Sequence, residues 1–311
     1  MTVSTKKFYR LAVLLAVLLF AFSIITCRNQ EEKESVKSPQ PQIVKIGLIP
    51  EQNMFAQKKR YEPLAEYIFK KSGIKINLQI LPSYGDIIDQ FNTLGLDGAF
   101  FDSFTAAIAI KKLGVIPCAR PEWVDGSSTY YGLIFVREDS SIRNAADMKG
   151  KRFAFVDKAT TAGWLLPIYY FKTYGIDHYR SFLKETYFTG THEGAIYDVL
   201  EKKADIGAAK NTVFYRLAAT DPRITDELTI LAGSPQVPSN GLCFKSELDD
   251  SVKREIKKNL LTMNLDEEGL EVLRHFGATR FIETEEEDYR PVFEYAAQIG
   301  LDLKDYDYKN D

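Results

Sequence analysis

Cysteine and histidine are scarce in this sequence, and neither residue occurs in a spacing that suits a metal site or a disulfide framework. The 311 residues include three cysteines (Cys27, Cys118 and Cys243) and three histidines, all far apart. Cys118 and Cys243 are flanked by strand-like residues, so we expect two buried free thiols, although the sequence leaves a pairing between them open. We therefore predict no metal site and no cofactor.

An excess of basic residues is also missing. The formal net charge is −3, from 40 Lys and Arg against 43 Asp and Glu. Lys6, Lys7 and Arg10 lie in an N-terminal segment that we expect to be removed, which leaves 37 basic residues and a charge of −6. This balance argues against a nucleic-acid partner. An anionic ligand would have to be held by local donors such as hydroxyls, histidine and helix N-termini.

The one long apolar run is too short to span a bilayer. It covers residues 11–25, follows a basic segment and contains no charge, whereas a membrane-spanning helix needs about 20 residues. Thr26 and Cys27 come next, and Ile24-Ile25-Thr26-Cys27 resembles a bacterial lipobox with Thr26 at a position usually held by Ala, Gly or Ser. We predict a lipoprotein signal peptide over residues 1–26, lipid attachment at Cys27 and a flexible tether over 27–42, with an uncleaved anchor as the alternative.

Short apolar strands alternate with amphipathic helices along the rest of the chain, which is 45% hydrophobic overall. Leu64 and Ile68 fit one face of a helix after Pro63, which suits a first helical turn. The alternation is typical of an α/β fold and predicts mainly parallel strand pairing. The predicted strands cover residues 44–49, 75–81, 98–101, 115–118, 133–136, 152–156 and 206–209.

Two stretches of the chain repeat one plan of strand, helix, turn and strand. Tyr84 lies 13 residues before Asp97, and His192 lies 13 residues before Asp205. We infer two homologous halves with Tyr84 and His192 at equivalent helix starts. Open α/β sheets bind ligands outside the carboxyl ends of their strands, so we expect these two residues to face one another across a cleft.

The boundaries of the two halves follow from where the plan changes. We predict a first lobe from residues 43–128 and 242–311, and a second lobe from residues 129–241. The two crossovers between the lobes would form a two-segment hinge. With no feature that requires a second copy, we expect a monomer.

A hydroxyl cluster follows the strand predicted at 152–156. Thr160 and Thr161 precede Gly163 and an apolar helix, and we assign Trp164 in that helix to packing. Unpaired N–H groups at a helix start, together with side-chain hydroxyls, can hold an oxyanion. The alternative is an ordinary threonine N-cap.

The sequence resembles the phosphate-, phosphite- and phosphonate-binding family of periplasmic proteins over nearly the whole mature chain. The resemblance implies a type II periplasmic-binding-protein fold, no catalysis, and a small oxyanion ligand passed to an ABC permease from a periplasmic or cell-surface position. It rests on Ser83-Tyr84, Tyr130-Tyr131 before residues 133–140, residues 147–152, residues 160–167 and Gly190-Thr191-His192-Glu193. The ligand-binding residues that it implies are Tyr84, Tyr130, Thr160, Thr161, Ala162, His192 and Asn240.

The resemblance also bears on which ligand is bound. Ala162 stands where relatives usually carry a third hydroxyl, so only its backbone N–H remains. Relatives that hold an amine-bearing phosphonate receive the ammonium with acidic residues, which align near Thr212 and at Asn240 here. Neither is acidic. Nearby Lys210 adds a cation, but we expect it to be a solvated surface residue.

Two other functions stay open from the sequence. Thr, His and Glu side chains could support hydrolysis, although no nucleophile elbow is present. A sensory lipoprotein that signals to a kinase or another partner protein without transport would need the same binding site.

For His192 we expect a protonated imidazole paired with the anion, and hence pH-dependent binding.

Overall fold

The computed structural model describes residues 41–51 and 53–310. The predicted signal peptide, Cys27 and the tether up to residue 40 lie outside the described residues. No helix among the described residues has the length and apolar character needed to cross a membrane.

Two sheets and one short ribbon contain the strands of the described chain. The six-stranded sheet, which we call the first sheet, has the order β13-β4-β12-β3-β1-β2, and the five-stranded second sheet has the order β10-β6-β9-β7-β8. A ribbon of β5 and β11 lies where the chain passes between them. The strands are β1 (Ile43–Leu48), β2 (Lys75–Ile80), β3 (Gly98–Phe101), β4 (Ile116–Trp123), β5 (Thr129–Tyr130), β6 (Gly132–Arg137), β7 (Arg152–Phe155), β8 (Glu185–Phe188), β9 (Ile206–Lys210), β10 (Leu228–Gly233), β11 (Val237–Pro238), β12 (Gly241–Phe244) and β13 (Ala278–Glu283).

The α/β class is confirmed, but the expectation of mainly parallel pairing is wrong. Only β1 with β2 and β3, and β7 with β8 and β9, pair in parallel among the described strands. Strand β12 returns from the second sheet and inserts antiparallel between β3 and β4, while β6 enters antiparallel to β9. The chain enters each of these strands from the other sheet, at the edge where the parallel strands end. Such a strand is therefore antiparallel to its parallel neighbours.

Helices cover the sheets, and the first helix begins earlier than the sequence predicts. The side chain of Asn53 caps this helix by accepting a hydrogen bond from the N–H of Phe55 at 3.0 Å, so Pro63 lies inside it rather than in its first turn. Pro63 cannot donate to the carbonyl of Lys59, and His275 Nε2 lies 3.0 Å from that oxygen. The helices are α1 (Met54–Ser72), α2 (Asp86–Gln90), α3 (Ser103–Leu113), α4 (Leu166–Thr173), α5 (Tyr179–Phe182), α6 (His192–Leu200), α7 (Asn211–Ala218), α8 (Arg223–Glu227), α9 (Asp250–Thr262), α10 (Glu267–Phe276) and α11 (Arg290–Gln298), with short 3₁₀ turns at Ala146–Met148, Met263–Leu265 and Glu286–Tyr289.

The last part of the described chain fastens the loop after β7 to the first sheet. Tyr306 packs against Phe104 of α3 and against Trp164, with ring centroids 5.4 and 5.5 Å apart. Its hydroxyl donates to the carbonyl of Lys158 at 2.9 Å. The loop that carries Thr160 and Thr161 is thus held from both sides, and Trp164 has the packing role expected of it.

The strands of the first sheet come from residues 43–123 and 241–283, and those of the second sheet come from residues 132–233. The predicted lobe boundaries and hinge stay predictions. Cys118 and Cys243 are both buried and both free.

Candidate functional site

The carboxyl ends of the parallel strands in the two sheets face each other. The carboxylate of Asp102, directly after β3, accepts a hydrogen bond from Thr161 N at 2.9 Å. Glu51, shortly after β1, pairs with Lys210 at the end of β9, with 2.9 Å between Oε1 and Nζ. These contacts place the candidate site outside the carboxyl ends of the strands, where open α/β sheets bind ligands.

The hydroxyl cluster lies in this interface, fully buried. Thr161 opens a π-helical turn, Thr161–Leu165, which leads into α4. A Cβ on Gly163 would come within 2.3 Å of Val156 Cβ, so only glycine lets this turn approach the end of β7 so closely. The first N–H of this turn, that of Thr161, already donates to Asp102, and Ala162 next to it is buried.

Both threonine hydroxyls already have protein partners. Thr160 Oγ1 donates to the carbonyl of Asp157 at 2.6 Å. Thr161 Oγ1 accepts from Phe104 N at 2.7 Å and lies 3.2 Å from Asp102 Oδ2. Thr161 therefore joins the two sheets directly, a role that the sequence did not indicate.

Three other polar groups at the site are buried without a hydrogen-bond partner among the described residues: the hydroxyls of Tyr84 and Tyr130 and Nδ2 of Asn240. The Tyr130 hydroxyl lies close to Ser103 and Thr161 but makes no hydrogen bond of ordinary geometry. Burial raises the pKa of both tyrosines well above its usual value, so both remain protonated donors. Buried donors normally have acceptors, and an anion would supply them here.

His192 is the first residue of α6 and meets Tyr84, as the repeat predicts, with ring centroids 6.1 Å apart. Its Nδ1 accepts from the backbone N–H of Lys210 at 3.3 Å, so the proton of the neutral ring is on Nε2. Burial, together with the positive charges of Lys210 and Arg216, lowers the pKa of His192 to about 3, although Glu51 opposes this shift. Burial thus favours a neutral ring, with Nε2–H as its donor, over the protonated imidazole expected from the sequence.

Lys210 is not the solvated residue that the sequence suggested, since its side chain is only 3% exposed. Its Nζ donates to Asn240 Oδ1 at 2.6 Å as well as to Glu51, and it lies 4.2 Å from the centre of the Tyr130 ring. Burial lowers the pKa of Lys210, and the adjacent carboxylate of Glu51 counters that effect. A buried ammonium is stabilised by such a partner set.

Glu51 and Asp102 are the site residues that sequence reasoning missed. Each follows the carboxyl end of a predicted strand, so the rule that selected Thr160 and Thr161 could also have found them. Thr212, the other residue aligned with the amine site, lies in α7 and lines the same cavity as Asn240.

The threonine hydroxyls and the ring of His192 have separate hydrogen-bond partners. The Thr160 and Thr161 hydroxyls contact other groups, and Nδ1 of His192 is engaged by backbone, so no threonine–histidine pair is assembled. Across residues 41–51 and 53–310, no three His, Cys, Asp or Glu side chains cluster in a way that could hold a metal ion.

The chain is similar to known binding proteins over most of its length. Residues 46–289 match a family model described as "ABC transporter, phosphonate, periplasmic substrate-binding protein". A phosphonates-binding periplasmic protein of Escherichia coli (strain K12) is 26% identical over 277 residues, which cover 87% of this chain and 80% of that protein.

Solved structures agree on the fold. A binding protein component of an ABC phosphonate transporter from Pseudomonas aeruginosa has a TM-score of 0.77 at 22% identity, covering 83% of this chain and 87% of that one. PhnD1 from Prochlorococcus marinus (MIT 9301), in complex with methylphosphonate, has a TM-score of 0.73 at 22% identity, covering 83% and 98%. The predicted type II periplasmic-binding-protein fold is confirmed, and the chain belongs to the family of periplasmic substrate-binding proteins of phosphonate ABC transporters.

Proposed function

We propose that this protein captures a small phosphorus oxyanion, a phosphonate, phosphite or phosphate, between its two sheets and passes it to the permease of an ABC importer. The observation that carries this proposal is the set of three buried donors without acceptors, Tyr84, Tyr130 and Asn240, beside the neutral ring of His192. A phosphorus oxyanion offers three or four oxygens and so can accept from several such donors at once.

The ligand would be held by both sheets. Tyr84 comes from the first sheet and His192 from the second, while Tyr130 lies in the β5–β11 ribbon that connects them. Closure over the ligand would turn on this ribbon, the predicted two-segment hinge. The Thr161–Asp102 contact then stabilises the closed arrangement rather than serving as the main anion contact.

The ligand would carry no ammonium group. Lys210 already places its own ammonium between Glu51, Asn240 and the Tyr130 ring. A ligand amine would have to compete with this charge in a buried position.

The protein would act outside the cytoplasm as a lipid-anchored monomer. Cys27 after a short apolar run supports acylation. A binding component that delivers its ligand to a permease benefits from such an anchor, because the anchor keeps it close to the membrane.

Isothermal titration calorimetry on the purified full-length protein in detergent tests the proposal. Phosphate, phosphite, methylphosphonate, sulfate and molybdate are titrated in one buffer, and thermal unfolding is followed in parallel. A phosphorus oxyanion at 100 times its Kd should stabilise the protein by about 2.7 kcal/mol. Binding of sulfate or molybdate in preference to all phosphorus oxyanions would refute the proposed ligand class.

A further inference from the structure

A large open cavity of about 1120 Å³ adjoins the proposed oxyanion site. Glu51, Lys210 and Asn240 form its inner wall, and the buried Nδ2 of Asn240 has no hydrogen-bond partner among the described residues. Arg60 of α1 and Arg216 of α7 line it farther out. A ligand whose phosphorus group lies at the inner end would extend its substituent into this cavity.

Positive charge exceeds negative charge on the cavity wall. The carboxylate of Glu51 serves two cations, since Oε1 lies 2.9 Å from Lys210 Nζ and Oε2 lies 4.0 Å from Arg60 Nη1. Burial and the neighbouring charge of Arg60 lower the pKa of Arg216, while Glu51 and Glu193 oppose this effect. The charged residues on the wall are Lys59, Arg60, Lys210 and Arg216 against Glu51 and Asp125.

Backbone and aromatic contacts hold the guanidinium of Arg60 in place. Its Nε donates to the carbonyl of Phe276 at 2.9 Å, and its guanidinium carbon lies 4.5 Å from the Phe276 ring and 5.5 Å from the ring of Trp123. The aromatic faces and the carbonyl orient the guanidinium, and the nearby carboxylate of Glu51, 4.0 Å away, is shared with Lys210. A fixed cation on a cavity wall is a suitable partner for an anionic group on a ligand.

We propose that this cavity is a second anion subsite, and that the preferred ligand is an organic phosphorus compound whose substituent carries a second anionic group. Arg60 from α1 and Arg216 from α7 would contact that group together. This inference rests on the proposed function, because the phosphorus group must first occupy the site at Tyr84, Tyr130 and His192.

The test compares three ligands that differ only at the end of the substituent: ethylphosphonate, aminoethylphosphonate and carboxyethylphosphonate. Their Kd values are measured by calorimetry at fixed ionic strength on the full-length protein. We expect carboxyethylphosphonate to bind at least about 10-fold more tightly than ethylphosphonate, as a charge-assisted contact would give. Aminoethylphosphonate should bind most weakly of the three.

Arg216→Gln should reduce the ratio of the Kd of ethylphosphonate to that of carboxyethylphosphonate by about 10-fold. Arg60→Gln should change this ratio in the same direction. Arg290→Gln is the matched control, because Arg290 is exposed on α11 and pairs with Glu287 of the preceding 3₁₀ turn. It should keep the ratio of the unmodified protein. If Arg60→Gln fails to fold because its aromatic contacts are lost, Arg216→Gln alone tests the second anion subsite.

The inference alone is overturned if ethylphosphonate binds as tightly as carboxyethylphosphonate, or if Arg216→Gln leaves the ratio unchanged. Absence of binding by all three phosphonates, and by phosphate and phosphite, would instead overturn the proposed function together with this inference.

Discussion

Glu51 and Lys210 form a buried ion pair that joins the two sheets, with 2.9 Å between Oε1 and Nζ and side chains that are 6% and 3% exposed. Burial by itself would raise the pKa of Glu51, but the charges of Lys210, Arg60 and Arg216 hold it at about 2. Glu51 is therefore ionised at neutral pH, and the buried ammonium has a matching charge.

Glu51→Gln should lower the free energy of unfolding by about 3–5 kcal/mol, because it leaves the ammonium of Lys210 buried beside a neutral amide. Urea denaturation followed by circular dichroism measures this loss. The double variant Glu51→Gln, Lys210→Met should recover most of it, since no unpaired charge remains. A double variant no more stable than the single one would show that charge pairing is not the cause.

The same pair makes the protein sensitive to acid. The pKa of Glu51 in the folded protein, about 2, lies below the ordinary value of 4.5. Ionisation of Glu51 thus stabilises the fold above about pH 4.5, and that contribution disappears as the pH falls toward 2. Unfolding measured from pH 2 to pH 6 should show the difference between the unmodified protein and Glu51→Gln shrinking over this interval. A constant difference would contradict the shift.

Lys210 should also set selectivity against amines. The unmodified protein should bind methylphosphonate at least as tightly as aminoethylphosphonate, because the position suited to an ammonium is occupied by Lys210. In Lys210→Met the carboxylate of Glu51 is left for the ligand, so the affinity for aminoethylphosphonate relative to methylphosphonate should rise by about 10- to 100-fold. Lys149→Met, an exposed lysine, is the control. Equal ratios in all three proteins would remove Lys210 from the selectivity mechanism.

Thr161→Val should destabilise the protein by about 1–3 kcal/mol, since Phe104 N and Asp102 lose a buried partner. The sequence left two roles open for this hydroxyl, an oxyanion contact and an ordinary N-cap, and indicated no contact between the sheets. Thr161→Ser keeps the hydroxyl and should be less costly. Denaturation midpoints and phosphonate affinities of both variants separate the two roles, and a Thr161→Val protein of normal stability would contradict the contact between the sheets.

His192 should stay neutral down to about pH 4, because burial places its pKa at about 3. Nitrogen NMR of the imidazole should show one tautomer, with the proton on Nε2, over the whole range from pH 5 to pH 8. His178→Gln and His275→Gln identify the signal, as only three histidines are present. Phosphonate affinity corrected for the ligand's own ionisation should then be independent of pH over this range; a titration of His192 near pH 6.5 would refute the buried neutral ring.

Spacing along the chain predicted which residues meet at the centre of the site, but the sequence did not predict which charged residues are buried there. Tyr84 and His192 each lie 13 residues before an aspartate that precedes a strand, and this shared spacing predicted that the two residues meet. Two halves built on one plan bring their equivalent helix starts together. Lys210 could not be assigned to the interior, because its burial depends on Glu51, 159 residues away, and a lysine without a visible partner belongs on the surface. Similarly, the partner of Thr161 lies 59 residues away.

Pro63 shows that contacts between distant residues also limit the prediction of local structure. Proline after a polar segment favours a helix start, but the cap at Asn53 and the contact of His275 with the Lys59 carbonyl allow the helix to run through it. A signal within a few residues was overridden by a contact between distant parts of the chain.

Trp164 gives the protein an intrinsic optical reporter. It is one of two tryptophans, and it stacks on Phe104 of α3 and packs against Tyr306. Helix α3 follows a strand of the first sheet, whereas Trp164 follows a strand of the second sheet. Any change in the separation of the sheets alters what surrounds its indole ring. The other tryptophan, Trp123 of β4, packs on Phe276 of α10 and can be replaced by phenylalanine. Emission from the remaining indole would then follow opening and closing in real time, without an attached dye.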